Sequence, residues 1–282
     1  RELGRLLGRN VKWVDDIYGK KALTAIENLE NGELLMLNNV RMDEEEVDAE
    51  GDFVTLSETR LVQNLSLVAD AFVNDAFACA HRSSPSIVGF TNALPCIAGE
   101  LMNHELSKLG QALENPKRPC IAVLGGVKVD DSVIVADNML RGDICDHVWV
   151  TGGVANLFLY LSGIDLGEVN VNFLKNEIGD SWDQTITIAS ELLVDFPECI
   201  IMPSDVALNL EGSRADYSLE QLPIEAPIFD LGITSIRALS KAIKSAGTII
   251  LNGPAGVFEL TDFALGTVEM LNACAESEGY TV

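Results

Sequence analysis

The sequence predicts an α/β fold carried by parallel sheet and divided into two domains. Three observations predict it. Short apolar runs alternate with stretches of helical periodicity, the pattern of right-handed βαβ units. Glycines and polar turn residues collect directly after the apolar runs, where open parallel sheets bind their ligands. The length, 282 residues with 48% hydrophobic content, suits two buried cores rather than one.

Taken in order, Val11–Val14 reads as a short strand closed by Asp15 and Asp16. Residues 21–30 carry Leu23, Ile26 and Leu29 on one helical stripe, which Asn31 and Gly32 stop. Leu34–Leu37 reads as a buried strand that leads into Asn38, Asn39, Val40 and Arg41. The run from Asp43 to Glu46 reads as a solvated acidic loop. Residues 59–69 are helical by pattern, and Ala71–Val73 is a strand ending in Asn74 and Asp75. Residues 98–113 form the longest amphipathic helix, with Leu101, Met102, Leu106, Leu109 and Leu113 on one face. Asn115-Pro-Lys-Arg-Pro119 ends that helix and reads as a domain junction. The boundary is placed within the helix, giving domains of residues 1–105 and 106–282. In the second half, strands at 148–150, 200–202 and 248–251 run into Thr151-Gly-Gly153, Pro203-Ser-Asp205 and Asn252-Gly-Pro-Ala-Gly256. Helices are expected at 154–161, 182–196, 234–246 and 263–275.

The most informative stretch is Pro119 to Asp131. Cys120–Leu124 is a fully apolar strand, Gly125 and Gly126 stop it, Lys128 follows, and a helix is expected over 132–140. A glycine pair lets a backbone approach a ligand because no Cβ intervenes. A helix N-terminus adds free N–H groups and partial positive charge. Strand, glycine turn, lysine and helix together read as a phosphate site. The alternative for Lys128 is a surface lysine after an ordinary turn.

The formal net charge of −24 argues against nucleic acid, whose backbone binding needs a basic stripe. It does not exclude a small phosphorylated ligand, since distant carboxylates are largely screened beyond a Debye length of about 8 Å. The acidity fits ordinary solubility or a salty cytosol. No apolar run is long enough to cross a bilayer, and the N-terminal residues lack a signal-peptide plan. A cytoplasmic protein is expected. The six cysteines lack C-x-x-C spacing and read as reduced core thiols, and no metal-ligand set is expected. Neither G-x-G-x-x-G after a strand nor G-x-x-x-x-G-K-[ST] nor G-x-S-x-G occurs, which disfavours a dinucleotide dehydrogenase, a P-loop and a nucleophile elbow.

Five stretches in order resemble phosphoglycerate kinase: Leu34-Leu-Met-Leu-Asn-Asn-Val-Arg41, Val73-Asn-Asp-Ala-Phe-Ala-Cys-Ala-His-Arg82, Ala112-Leu-Glu-Asn-Pro-Lys-Arg-Pro119, Leu124-Gly-Gly-Val-Lys-Val-Asp-Asp131 and Asn252-Gly-Pro-Ala-Gly-Val-Phe-Glu259. The resemblance covers essentially the whole chain, and the wording of residues 126–132 and 252–256 resembles the archaeal branch. It implies two doubly wound, Rossmann-like domains facing a cleft, the first for 3-phosphoglycerate and the second for Mg-bound ATP or ADP. It implies a phosphotransferase with a carboxyl acceptor, working in glycolysis and gluconeogenesis, on small molecules and as a monomer, with an oligomer left open. By resemblance Arg41, His81 and Arg82 bind the phosphoglycerate, and Lys128 and Arg82 serve catalysis. Gly125, Gly126, Lys128, Gly152, Gly153, Gly232, Asn252, Gly253, Pro254 and Glu259 bind the nucleotide. Without the resemblance Arg82 reads as a surface ion pair, His81 as a buried imidazole, Gly232 as a plain turn and Glu259 as a solvated carboxylate. A second family lysine falls at Ser132 and a second histidine at Ser84. The family's opening strand with its catalytic arginine, and its C-terminal glycine-rich loop, have no counterpart here, so the chain reads as the middle of a kinase. A non-catalytic nucleotide-binding or scaffold fragment of the same fold is the alternative.

Overall fold

Residues 1–107 and 108–282 form two compact units, and the computed structural model describes every residue from Arg1 to Val282. The first unit is assembled from short pieces. After α1 (Glu2–Leu7), strand β1 (Lys12–Trp13) pairs in parallel with β2 (Leu35–Met36), and α2 (Lys20–Glu27) lies between them in sequence. Asp16 starts α2, because its carboxylate accepts the backbone N–H groups of Gly19 and Ala22, both at 3.0 Å. Those bonds, the one from Ala22 foremost, hold the Asp16 carboxyl below the usual range. The stripe through Leu29 predicts a longer helix than is found. The helix ends at Glu27: Asn28 donates to the Thr24 carbonyl through both its backbone N–H (3.2 Å) and its side-chain amide (2.7 Å), and the Leu29 N–H closes a tighter turn on the Ile26 carbonyl at 3.0 Å. Leu34–Leu37 is likewise less buried than expected, with Met36 44% exposed, since a two-stranded pair offers no second layer on that face.

Next come α3 (Glu44–Asp48), α4 (Phe53–Ser57), α5 (Arg60–Ser66), β3 (Phe72–Asn74), α6 (Pro85–Val88) and β4 (Cys96–Ala98), the last pairing in parallel with β3. A small core of Leu61, Val62 and Phe90 holds them, with Phe72 stacked on Phe90 at 4.9 Å between ring centroids. The acidic run from Asp43 to Glu46 is no solvated loop. Asp43 caps α3 by accepting the N–H of Glu45 at 3.0 Å, and Glu46 is only 3% exposed. The Glu46 carboxylate accepts from Ser84 Oγ at 2.9 Å, Ser86 N at 2.8 Å and Ser86 Oγ at 2.6 Å. Three donors replace the water that a buried carboxylate loses.

Helix α7 (Glu100–Leu113) spans the division between units. Its expected apolar face is only partly used: Met102 is buried, whereas Leu101 and Leu106 are about half exposed.

The second unit contains the predicted parallel sheet. In chain order it comprises β5 (Cys120–Leu124), α8 (Val129–Arg141), β6 (His147–Val150), α9 (Gly152–Leu161), α10 (Glu168–Ile178), α11 (Trp182–Asp195) and β7 (Ile200–Ile201). Then follow β8 (Asp205–Leu210), β9 (Ser213–Ser218), β10 (Ile228–Leu231), α12 (Ile233–Ser245), β11 (Thr248–Asn252), α13 (Leu265–Glu276) and β12 (Tyr280–Thr281). The five-stranded sheet runs β12-β11-β5-β6-β7, all parallel. Alternation along β5 divides the core. Cys120, Ala122 and Leu124 join the side chains of α8 to α11, while Ile121 and Val123 join those of α12 and α13. The chain winds from β5 outward to β7, then returns to β11 on the other side of β5. That reversal makes the β5/β11 junction a topological switch point.

Two features depart from the expected pattern. Strands β8, β9 and β10 form a separate antiparallel sheet, order β10-β8-β9. Its hairpin turns at Glu211 (φ 51°) and Gly212 (φ 94°), a two-residue turn that needs left-handed backbone at both positions. Helix α10 escapes the pattern because Asn170 occupies a core position. Its side chain is fully engaged, donating to Leu166 O (2.7 Å) and Ala226 O (3.0 Å) and accepting from Ile228 N (2.8 Å). Asn115–Pro119 is also no free junction, since Arg118 is anchored in the second unit, 3.0 Å from Asp146.

Candidate active site

At the switch point three strand ends meet. Gly125 N–H donates to Asn252 O at 2.7 Å, Gly126 N–H to Pro254 O at 2.9 Å, and Gly153 N–H to Gly126 O at 2.9 Å. A Cβ on Gly125 would run into Thr151 Oγ1 and the Pro254 carbonyl, and one on Gly253 into the Gly125 carbonyl. Gly126, Gly152 and Gly253 all have positive φ. The Gly125–Gly126 pair was expected to admit a ligand to the backbone. It admits the β11 loop, whose carbonyls at Asn252 and Pro254 accept both N–H groups.

Two helices begin there. Lys128 stands at the entry to α8, exposed and in no ion pair within its unit, where the lysine pair is Lys244–Glu276. The first turn of α8 also carries Asp130 and Asp131, which oppose an anion. Helix α9 starts at Gly152 with no acidic residue in its first turn, so its N-terminal field is the less compromised of the two. Ser132 is 2% exposed, so the position given to a second lysine faces the core of this chain. Asn252, Gly253 and Glu259 are exposed, Pro254 is half-buried, and Glu259 makes no ion pair within its unit. Gly232 precedes α12, and a Cβ there would collide with the Asp205 carboxylate. Asp205 caps α12, accepting from Thr234 N at 2.9 Å and Ser235 N at 2.8 Å, with Ser235 Oγ at 2.5 Å. Burial pushes the Asp205 pKa up, but the donors from Ser235 and Thr234 outweigh it and hold the carboxyl below its ordinary range.

In the first unit Arg41 and Arg82 line one hollow of about 320 Å³, together with Asn74, Ser84 and Glu46. The backbone N–H of Arg41 donates to the Asn39 side chain at 3.0 Å, which fixes the turn from which Arg41 projects. The ion pairs of this unit are Arg5–Glu2, Lys12–Glu33 and Arg60–Glu45, so both guanidinium groups at the hollow are uncommitted there. The surface ion pair that Arg82 offered as an alternative is not formed within the unit. His81 is exposed rather than a buried imidazole, but it is not among the residues that line the hollow. Ser84 is 6% exposed and serves Glu46.

All of residues 1–282 match the family model described as phosphoglycerate kinase. The chain belongs to the phosphoglycerate kinase family. The phosphoglycerate kinase of Methanothermobacter thermautotrophicus is 45% identical over 282 residues, 100% of this chain and 67% of the relative. That of Methanobacterium bryantii is 43% identical over 100% of this chain and 68% of its own. The chain thus spans about two thirds of the length of the curated relatives it matches. Among solved structures, phosphoglycerate kinase from Pyrococcus horikoshii OT3 superposes with a TM-score of 0.89 at 39% identity, covering 99% of this chain and 69% of that one. The Coxiella burnetii enzyme superposes at 0.78 with 30% identity, covering 100% and 67%. The likeness to archaeal phosphoglycerate kinases agrees with the archaeal wording of residues 126–132 and 252–256.

The sequence singles out the glycines and Lys128 at these strand ends but not the carboxylates packed around them. Glu46, Asp205 and Asp230 are each surrounded by hydrogen-bond donors from distant positions. The one local signal was glycine. Gly232 borders Asp205, and Gly256 and Gly266 border Asp230, each leaving room for a carboxylate. No helix of the protein is long and apolar enough to cross a membrane.

Proposed function

We propose that this chain carries out the family's reaction with the residues described above: reversible phosphoryl transfer between ATP and the carboxylate of 3-phosphoglycerate. A carboxylate oxygen attacks the γ-phosphorus, the bond from that phosphorus to the β,γ-bridging oxygen breaks, and 1,3-bisphosphoglycerate and ADP result. The attacking carboxylate is already ionised at neutral pH, so no general base is required. Such transfer depends on positioning and on stabilising spread negative charge. Arg41 and Arg82 hold the phosphoglycerate, with His81 at the edge of that site. Lys128 neutralises charge on the transferring group. The turns at Gly125–Gly126, Gly152–Gly153, Gly232 and Asn252–Pro254 form the nucleotide's seat, and Glu259 accepts from its ribose. Magnesium arrives on the nucleotide as part of the substrate, and no cluster of three or more His, Cys, Asp or Glu is arranged to cage it.

The observation that carries this reading is Lys128, an uncommitted cation at the switch point of a doubly wound sheet in a protein of net charge −24. A coupled assay with Mg-ATP and 3-phosphoglycerate tests it. Lys128→Ala is expected to lower kcat by about 10²–10³, the effect of removing one preorganised charge donor. Arg82→Ala is expected to raise KM for 3-phosphoglycerate at least tenfold, since a charged hydrogen bond contributes about 1.5–3 kcal/mol. Undiminished turnover in both variants would reject these roles. Tight Mg-ADP binding without turnover in the parent chain would favour the non-catalytic alternative.

A further inference from the structure

Arg214 belongs to none of the residues assigned so far, yet it holds together the wall behind the nucleotide loops. It lies on β9 with its side chain 13% exposed. Nη1 donates to Asp230 Oδ2 at 2.7 Å and to the Asp262 carbonyl at 3.3 Å. Nη2 donates to the Leu231 carbonyl at 2.6 Å and to Asp216 Oδ1 at 3.0 Å, and Nε donates to Asp216 Oδ2 at 3.3 Å. Three of its four partners are in turn tied to the binding edge. Leu231 immediately precedes Gly232, and Asp216 Oδ1 accepts the first helical N–H of α12, from Ile233, at 3.2 Å. Asp230 has a fully buried side chain and accepts Gly266 N–H at 2.8 Å, which fixes the start of α13. Its carboxylate fills the space left by Gly256 and Gly266, and its neighbour Phe229 accepts Val257 N–H at 2.8 Å. The loop from Asn252 to Glu259 is therefore backed by β10, and β10 is held by Arg214.

A surface fork would be a weak restraint, because exposed ion pairs contribute little. Here the guanidinium is largely desolvated, paired with a buried carboxylate and bound to two backbone carbonyls besides. Planar donors of this kind fix direction as well as distance. Lysine, a point charge on a flexible stem, could retain the pairing with Asp230 but not the five-bond fork.

We propose that Arg214 is a positioning residue for the nucleoside part of the nucleotide, locking the turn at Gly232 and the Asn252–Glu259 loop into one rigid wall. The inference rests on the nucleotide reading of the switch point. It separates two halves of the ligand: Arg214 supports the nucleoside side, whereas Lys128 and the start of α9 meet the phosphates.

Calorimetric titration of the 282-residue chain with Mg-ADP and, separately, with inorganic pyrophosphate tests this. Arg214→Met is expected to weaken Mg-ADP about tenfold, equivalent to ~1.4 kcal/mol, while leaving pyrophosphate within about twofold. Arg214→Lys and Asp216→Asn are expected to fall between parent and Arg214→Met. Circular dichroism and thermal melting monitor folding. A folded Arg214→Met with parental Mg-ADP affinity overturns the proposal. So does equal weakening toward Mg-ADP and pyrophosphate, which marks general loosening. If Arg214→Met fails to fold, parental affinity in both milder variants overturns it. A folded parent chain that binds no Mg-ADP overturns the nucleotide reading itself and this inference with it, an outcome distinct from the others.

Discussion

The second unit is held by apolar layers and the first largely by carboxylates. Strand β5 has neighbours on both edges and helices on both faces, and all five of its residues are buried. The first unit's strands stand in isolated pairs, and their cross-strand neighbours Trp13–Met36 and Val73–Ile97 are between 44% and 61% exposed. Its short helices are fixed instead by Asp16, Asp43, Asp52 and Glu46, each accepting backbone N–H groups. Both units carry cations in no ion pair within the unit, Arg41 and Arg82 in the first and Lys128 in the second, so the contrast lies in the scaffold. A phosphate can be met equally by a side chain on a layered sheet or by one on a capped turn. The two scaffolds should answer differently to mutation and to acid.

The largest effect is expected where the layered unit admits no extra atom. Gly125→Ala sets a methyl against the Pro254 carbonyl and Thr151, and backbone on one side cannot yield cheaply. A loss of ~3 kcal/mol, the upper end for overpacking, is expected in urea denaturation, together with loss of Mg-ADP affinity. A loss below about 0.5 kcal/mol would mean the strand ends are less tightly zipped than their hydrogen bonds indicate.

In the first unit the corresponding weak point is polar. Glu46→Gln keeps the shape but exchanges a charged acceptor of three hydrogen bonds for an amide with one oxygen. Removing such charged bonds should cost ~2 kcal/mol. Hydrogen exchange is expected to accelerate in α3 and α6 while β5, β6 and β11 stay protected. Uniform acceleration across both units would erase the contrast.

How much of this was legible in sequence follows the same division. Two-sided burial writes an unmistakable signature, and Cys120–Leu124, Val148–Val150 and Thr248–Leu251 were readable for that reason. The glycines that follow them were readable because close approach excludes every other side chain, although what approaches them is a neighbouring loop. Long-range polar partnerships leave no period. Nothing around Glu46 announces Ser84 and Ser86, nearly forty positions on, and its acidic neighbours suggest the opposite environment. Arg214 and Asn170 were hidden likewise, being polar residues in positions that pattern analysis reserves for apolar ones. Arg41 and Arg82 were found by resemblance alone, since an uncommitted arginine and a paired one look identical in sequence.

Acid offers a graded comparison. Asp16 in the first unit and Asp205 in the second both have pKa values lowered by folding. The stability each contributes is complete above the unfolded carboxylate range, near 3.9, and is lost as pH falls through the lowered folded value. Asp205→Asn replaces one of two accepting oxygens with an amide nitrogen and should therefore cost about 1 kcal/mol at pH 7, and less as pH falls toward 3. Melting temperatures measured between pH 7 and pH 3 check the sign: parent and variant should converge at the acid end. Divergence there would mean that burial, not capping, governs this carboxylate.

The smallest effect is the most pointed test of the contrast. Trp13 is among the largest side chains in the protein, and in a layered sheet its removal would cost about 3–5 kcal/mol. It is 61% exposed, however, and its cross-strand partner is Met36 in a two-stranded pair. Cross-strand partners of this kind contribute roughly 0.2–1 kcal/mol. Trp13→Ser is thus expected to shift stability by ~0.5 kcal/mol in urea denaturation, despite the volume removed. A cost of several kcal/mol would show that the β1–β2 face is covered in solution, and the first unit would then have to be counted as layered too.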